Sequence, residues 1–183
     1  MQILNFHRVK NREYFKQFDI MFGSLALGNH QMEVEINRSF FEKYEHDDIL
    51  DCDIQVDIDV ERKETMVTLH FDIHGHFITL CDICLEELTV PVSKQEMAIL
   101  KITGISRERD NENIIFLGER DYFYNVEQLL YEYIVTLIPL RKVHQETGYG
   151  NCNPDMLKRI EEAKKSSYQE EDERWKAVKE KFK

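Results

Sequence analysis

Asp51-Cys52-Asp53-Ile54-Gln55-Val56-Asp57-Ile58-Asp59-Val60-Glu61 is the stretch on which the fold turns. Its apolar residues at 52, 54, 56, 58 and 60 alternate with polar, mostly acidic ones. Alternation with period two over that length predicts a strand, from Ile49 to about Glu61, with one face in a core and the other in water. Cys52 falls on the inner face, where a free cysteine packs as a small hydrophobe rather than serving as a ligand.

Two further long strands follow. Met66 to Leu80 carries Val67, Leu69, Phe71 and Ile73 on one side until Gly75, where a bulge or tight bend and a change of apolar register are expected. Leu88 to Ile102 carries Leu88, Val90, Val92, Ala98, Leu100 and Ile102 on one side. Ile114 to Leu117 reads as a short strand. Gln31 to Ile36 reads as another, with a one- or two-turn helix at Ser39 to Tyr44. The first twenty residues have no firm period.

One helix stands out at Val126 to Ile138, with Val126, Leu129, Leu130, Tyr133, Ile134 and Leu137 at helical spacing. Asn125 is the expected N-cap, with Gln128 three residues on, and Pro139 the stop. Tyr131, Val135 and Ile138 add a second apolar edge, so the helix is expected to be deeply packed, the commoner outcome, or partly exposed for a partner. Asp155 to Lys165 predicts a polar helix. The chain ends with Trp175, Val178 and Phe182 on one helical face among lysines. The order of elements predicts an α+β fold: a strand-rich antiparallel body with one buried helix and a helical C-terminal tail. The division expected is 1–154 for the body, with its Cys-x-x-Cys knuckle, and 155–183 for a polar tail ending in a Trp-centred amphipathic segment.

The 183 residues, 42% of them hydrophobic, suffice for a core of ordinary size. No apolar run approaches the roughly 18–20 residues of a membrane-spanning helix, and Met1 to Arg8 lacks the pattern of a secretory signal. A cytoplasmic setting is therefore expected, in which the four cysteines stay reduced. The net charge is −11, and residues 42–64 alone hold ten acidic against three basic residues. That balance opposes binding nucleic acid mainly through its phosphates, and favours a basic protein partner.

Cys81-Asp82-Ile83-Cys84 is the sharpest chemical feature. A C-x-x-C knuckle brings two thiolates to one metal ion, and zinc, which prefers four ligands, needs a second pair. His144 and Cys152, in the segment after the helix, supply it. Cys81, Cys84, His144 and Cys152 thus make a complete zinc set, with an unmetallated reduced pair as the alternative. A thioredoxin-type redox role is disfavoured: the motif joins two strands, and Asp82, Glu86 and Glu87 oppose a thiolate. Asp72, His74 and His76 read as solvated strand residues. No G-x-S-x-G, P-loop or G-x-G-x-x-G spacing is present, so no catalytic residues, enzymatic activity or small-molecule substrate are expected.

Gly75 to Glu86, the helix Glu127 to Pro139, and Leu140, His144 and Cys152 after it resemble, in order, the YceD-like large ribosomal RNA accumulation proteins. The ending Asp172 to Lys179, centred on Glu173-Arg174-Trp175, resembles the short tail of many members. The likeness is ordered over roughly residues 66 to 183. It implies a non-enzymatic bacterial or organellar factor for accumulation and processing of 23S rRNA and for large-subunit biogenesis. It also places the family's Cys and His positions at Cys81, Cys84, His144 and Cys152. The expected partner is 23S rRNA or its precursor, bound directly or through a basic ribosomal protein. Arg141 and Lys142 are the candidate RNA contacts. Asp51, Asp53, Asp57, Asp59 and Trp175 are the candidate protein contacts. The alternative is a zinc-binding protein–protein adaptor unrelated to ribosomes.

Overall fold

The computed structural model describes residues 16–44, 46, 48–103, 114–148 and 150–167. The alternating stretch is the second strand of a five-stranded sheet. Its members are β2 (Gly28–Asn37), β3 (Asp51–Arg62), β4 (Met66–Leu80), β5 (Glu87–Ile102) and β6 (Ile114–Leu117), side by side in that order. A separate two-stranded ribbon pairs β1 (Asp19–Ile20) with β7 (Tyr124–Asn125). The helices are α1 (Arg38–Glu42), α2 (Glu127–Val135), α3 (His144–Thr147) and α4 (Pro154–Ser167). The fold is α+β, as its sequence predicts.

Burial follows the predicted alternation. Cys52, Ile54, Val56, Ile58 and Val60 of β3 are buried beside Val34 and Ile36 of β2 and Val67, Leu69, Phe71 and Ile73 of β4. Phe18, Phe40, Phe41 and α2 cover this face. The Phe18 and Phe40 rings lie 5.4 Å apart, and Tyr133 of α2 meets Phe71 edge-on at 5.6 Å. The opposite face is solvated and acidic, and it is wider than β3 alone: Glu33 of β2, Asp57 of β3 and Asp72 of β4 are direct partners across three strands.

Some local expectations are corrected. Gly75 marks no bulge and no change of register. The β3–β4 pairing runs unbroken through Ile54↔Gly75, and Phe77 and Thr79 continue the buried series. Glycine is needed there because a Cβ would sit 2.2 Å from the Asp53 carbonyl oxygen, at a φ of +142°. The body is mostly antiparallel, as expected, with β6 running parallel to β5; alternation reveals which face is buried but not the direction of a neighbouring strand.

Helix α2 starts one residue later than expected. Val126 holds the cap position, Asn125 accepts from the Glu127 N–H through its side chain at 3.0 Å, and Gln128 donates to Glu132 instead of closing a capping box. Past Val135 the chain tightens, with Leu137 and Ile138 N–H groups reaching back three residues. Of the two outcomes expected for α2, partial exposure is the one found. Leu129, Leu130 and Ile134 are buried, whereas Tyr131, Tyr133 and Val135 are only half-buried. Its first residue, Glu127, is a buried acid held by Lys43 Nζ at 2.7 and 2.9 Å.

The chain forms two compact units. One runs up to Thr79 and includes Thr89–Leu140; the other combines Leu80–Leu88 with residues from Arg141 on. The expected boundary at 154 is not where these units divide. The polar helix expected at 155–165 is α4, opened by Pro154 in the first-turn position and by Asn153, which accepts from the Asp155 N–H at 2.9 Å. Residues 168–183, including Trp175, lie outside the described residues.

Candidate metal centre

The second unit is organised around the knuckle. After β4 the chain folds back at Cys81. The Leu85 N–H donates to the Cys81 carbonyl, and the Cys81 N–H to the Glu86 carbonyl, each at 2.9 Å. This turn requires a left-handed residue, and Leu85 supplies it at a φ of +60° with its side chain exposed. Two cysteines three apart thereby face one point. Val143 leads into the single turn of α3, so that His144 faces the same point, and Cys152 reaches it just before α4 begins.

All four residues are buried, and their donor atoms lie within 4.8 Å of one another. Cys81 Sγ is 3.7 Å from Cys152 Sγ. His144 Nδ1 is 3.5 Å from Cys84 Sγ and 3.7 Å from Cys152 Sγ. The four are close enough to bind one metal ion, and they are the only such group of Cys, His, Asp or Glu among the described residues. His144 Nε2 lies 3.1 Å from the Glu87 carbonyl. Since that carbonyl can only accept, Nε2 carries the proton and Nδ1 turns its lone pair to the thiols, the tautomer a metal requires.

Burial pushes the Cys81 thiol up, but backbone N–H groups of Cys84, Ile83 and His144 and the Cys84 side chain outweigh it and bring it down to about 6. This corrects the expectation that neighbouring acids oppose a thiolate. The Asp82 carboxylate instead accepts from the Lys142 N–H at 2.6 Å. Cys152 is pushed up to about 11 by burial and by the Cys81 and Cys84 sulfurs. A cation among these sulfurs would offset the effect that raises Cys152.

None of the other sites predicted from sequence is among these four residues. Cys52 is a core residue, its thiol 3.7 Å from the Ile36 carbonyl and pushed up to about 12 by burial and by Asp51 and Asp53. Asp72 and His74 are exposed, and His74 lies 3.9 Å from Asp57. Asp51, Asp53 and Asp59 are exposed and Asp57 half-buried on the open sheet face. Arg141 is exposed and paired with Glu146 at 3.0 Å, and Lys142 contributes its backbone to the Asp82 contact. Sequence reasoning missed the supporting groups Asp82, Glu87 and Asn153. Periodicity carries no signal for them, although Asn153, next to Cys152 and before Pro154, has the form of a helix cap. None of the described helices is long and apolar enough to cross a membrane.

The geometry defines an α+β chain with a buried three-cysteine, one-histidine centre. No family model, curated protein or solved structure matches it.

Proposed function

We propose that the chain is a non-enzymatic, zinc-stapled factor that supports 23S rRNA accumulation and large-subunit assembly by docking on a basic ribosomal protein. The observation that carries this reading is the convergence of Cys81, Cys84, His144 and Cys152. These are the positions at which the resemblance to the YceD-like proteins puts its Cys and His residues. Zinc fits the set. Tetrahedral bonds of about 2.3 Å to sulfur and 2.0–2.1 Å to nitrogen separate the ligand atoms by about 3.8 Å (S–S) and 3.5–3.6 Å (S–N). Cys81 Sγ lies 3.7 Å from Cys152 Sγ, His144 Nδ1 lies 3.5 and 3.7 Å from the sulfurs of Cys84 and Cys152, and all four donor atoms lie within 4.8 Å of one another. Bound zinc would hold the two parts of the second unit together. Four protein ligands leave no position for substrate or water, which suits a structural ion rather than a catalytic one.

Charge supports a protein rather than RNA as the direct contact. The open sheet face aligns Glu33, Asp57 and Asp72 across three strands, beside Asp51, Asp53, Asp59 and Glu61. Like charges directly opposite one another cost stability, and a basic partner would offset that cost. Arg141, the exposed candidate for RNA, is already paired with Glu146.

The test is denaturing purification of the tagged chain after RNA crosslinking, with native co-purification in parallel. The expected outcome is a basic large-subunit protein that survives nuclease treatment and is lost in the Asp53→Asn/Asp57→Asn/Asp59→Asn variant, with little crosslinked RNA. Strong crosslinks to precursor 23S rRNA would move the contact to RNA. Partners unconnected with ribosomes would replace the reading with that of a zinc-bearing adaptor.

A further inference from the structure

Asp82 is not among the residues whose donor atoms converge on the candidate ion, yet it makes the closest link between the two halves of the site. Its own N–H donates to the Lys142 carbonyl at 2.7 Å, and its carboxylate accepts from the Lys142 N–H at 2.6 Å. The two bonds run in opposite directions between one residue inside the knuckle, flanked by Cys81 and Cys84, and one lying two residues before His144. Carboxylate-to-amide hydrogen bonds of this kind are short and about twice as strong as neutral ones. The partners are 60 positions apart in the chain, so the contact fixes a long-range register rather than a local turn. Two further bonds extend the same seam: His144 Nε2 to the Glu87 carbonyl at 3.1 Å, and Asn153 Nδ2 to Glu86 Oε1 at 2.7 Å, next to Cys152.

We infer that Asp82 is the positioning residue of the metal centre, clamping the His144–Cys152 segment onto the knuckle so that all four ligands are arranged before the ion arrives. The inference rests on the zinc reading above and deepens it. None of the three seam contacts uses a ligand's metal-facing atom, so each persists without the ion. Only the Asp82 contact is held at both a main-chain and a side-chain atom. Asparagine keeps an oxygen that can accept from the Lys142 N–H, whereas alanine keeps only the main-chain bond.

The test is zinc affinity of the full-length chain, measured by competition with a chromophoric chelator, together with the visible spectrum of the cobalt-substituted protein. Asp82→Ala is expected to weaken zinc binding about tenfold to a hundredfold, the usual range for outer-shell partners, with one equivalent still bound and an unchanged tetrahedral cobalt spectrum. Asp82→Asn is expected to recover most of that loss. Zinc affinity unmoved by Asp82→Ala, or Asp82→Asn as weak as Asp82→Ala, overturns the positioning role alone. A wild-type chain that takes up no zinc overturns the zinc reading and this inference with it. Hydrogen exchange on the metal-free wild type needs no variant to fold: a slowly exchanging Lys142 amide is expected, and one exchanging as fast as an exposed loop amide overturns the clamp.

Discussion

Replacing Gly75 by alanine tests whether the β3–β4 ladder is continuous through that residue or bulged there. In the structure a Cβ at 75 would lie 2.2 Å from the Asp53 carbonyl oxygen and 2.8 Å from Ile54 Cα, where ordinary contact begins at 3.4 Å. Both neighbours are backbone atoms of the paired strand, so the central strands must part to admit the methyl group. The φ of +142° adds a second cost, because side chains other than hydrogen rarely adopt it. Backbone strain of about 1–3 kcal/mol and overpacking of about 1–3 kcal/mol give a loss of roughly 2–6 kcal/mol, a large part of the 5–15 kcal/mol typical of a domain. Gly28 separates the two terms: its φ is +122°, and nothing lies within 4 Å of the Cβ position. Gly28→Ala should therefore show the conformational cost alone, about 1–3 kcal/mol. Urea unfolding followed by far-ultraviolet circular dichroism reads both, and Gly75→Ala should lower the midpoint by about 2 M. Equal losses for the two variants would refute the close approach of the strands at Gly75.

Leu85 holds a left-handed conformation with its side chain exposed, so Leu85→Gly should raise stability by about 0.5–1 kcal/mol in the same unfolding assay. Lys43→Met strands the buried Glu127 carboxylate and should cost about 2–3 kcal/mol, less than for a fully buried pair because Lys43 is half exposed; adding Glu127→Gln should recover much of it in a double-mutant cycle. Cys52, raised in the fold from 9.0 to about 12, contributes stability that is complete below pH 9 and lost as pH rises toward 12. Cys52→Val should therefore flatten the alkaline fall in stability, measured by urea midpoints between pH 8 and 11. If the centre holds zinc as proposed, a chelator should expose Cys81, Cys84 and Cys152 to a thiol reagent while Cys52 stays protected, and thiol counting before and after treatment checks this.

How much of this was legible in the sequence follows from how each feature is encoded. Period-two alternation writes burial directly into β3, because each side chain's face depends only on its own position. The buried set of Cys52 to Val60 could therefore be read residue by residue. Strand direction depends on a partner elsewhere in the chain, and the parallel pairing of β6 with β5 left no mark in either segment. Gly75 shows the same limit. Its type announces an unusual backbone, but a bulge and a close cross-strand approach ask for the same residue, and only the unbroken register tells them apart. The four residues of the candidate centre were legible because their chemistry is scarce: with four cysteines and seven histidines in the whole chain, a knuckle seeking a second pair has few choices. Asp82 was not, because aspartates are common and one beside cysteines reads as repulsion to a thiolate. The fold turns its carboxylate to the Lys142 amide and leaves the thiol facing backbone N–H groups, so the apparent conflict becomes support for the site. A residue that looks wrong for the chemistry beside it is thus a reason to ask which backbone donor its side chain has been given.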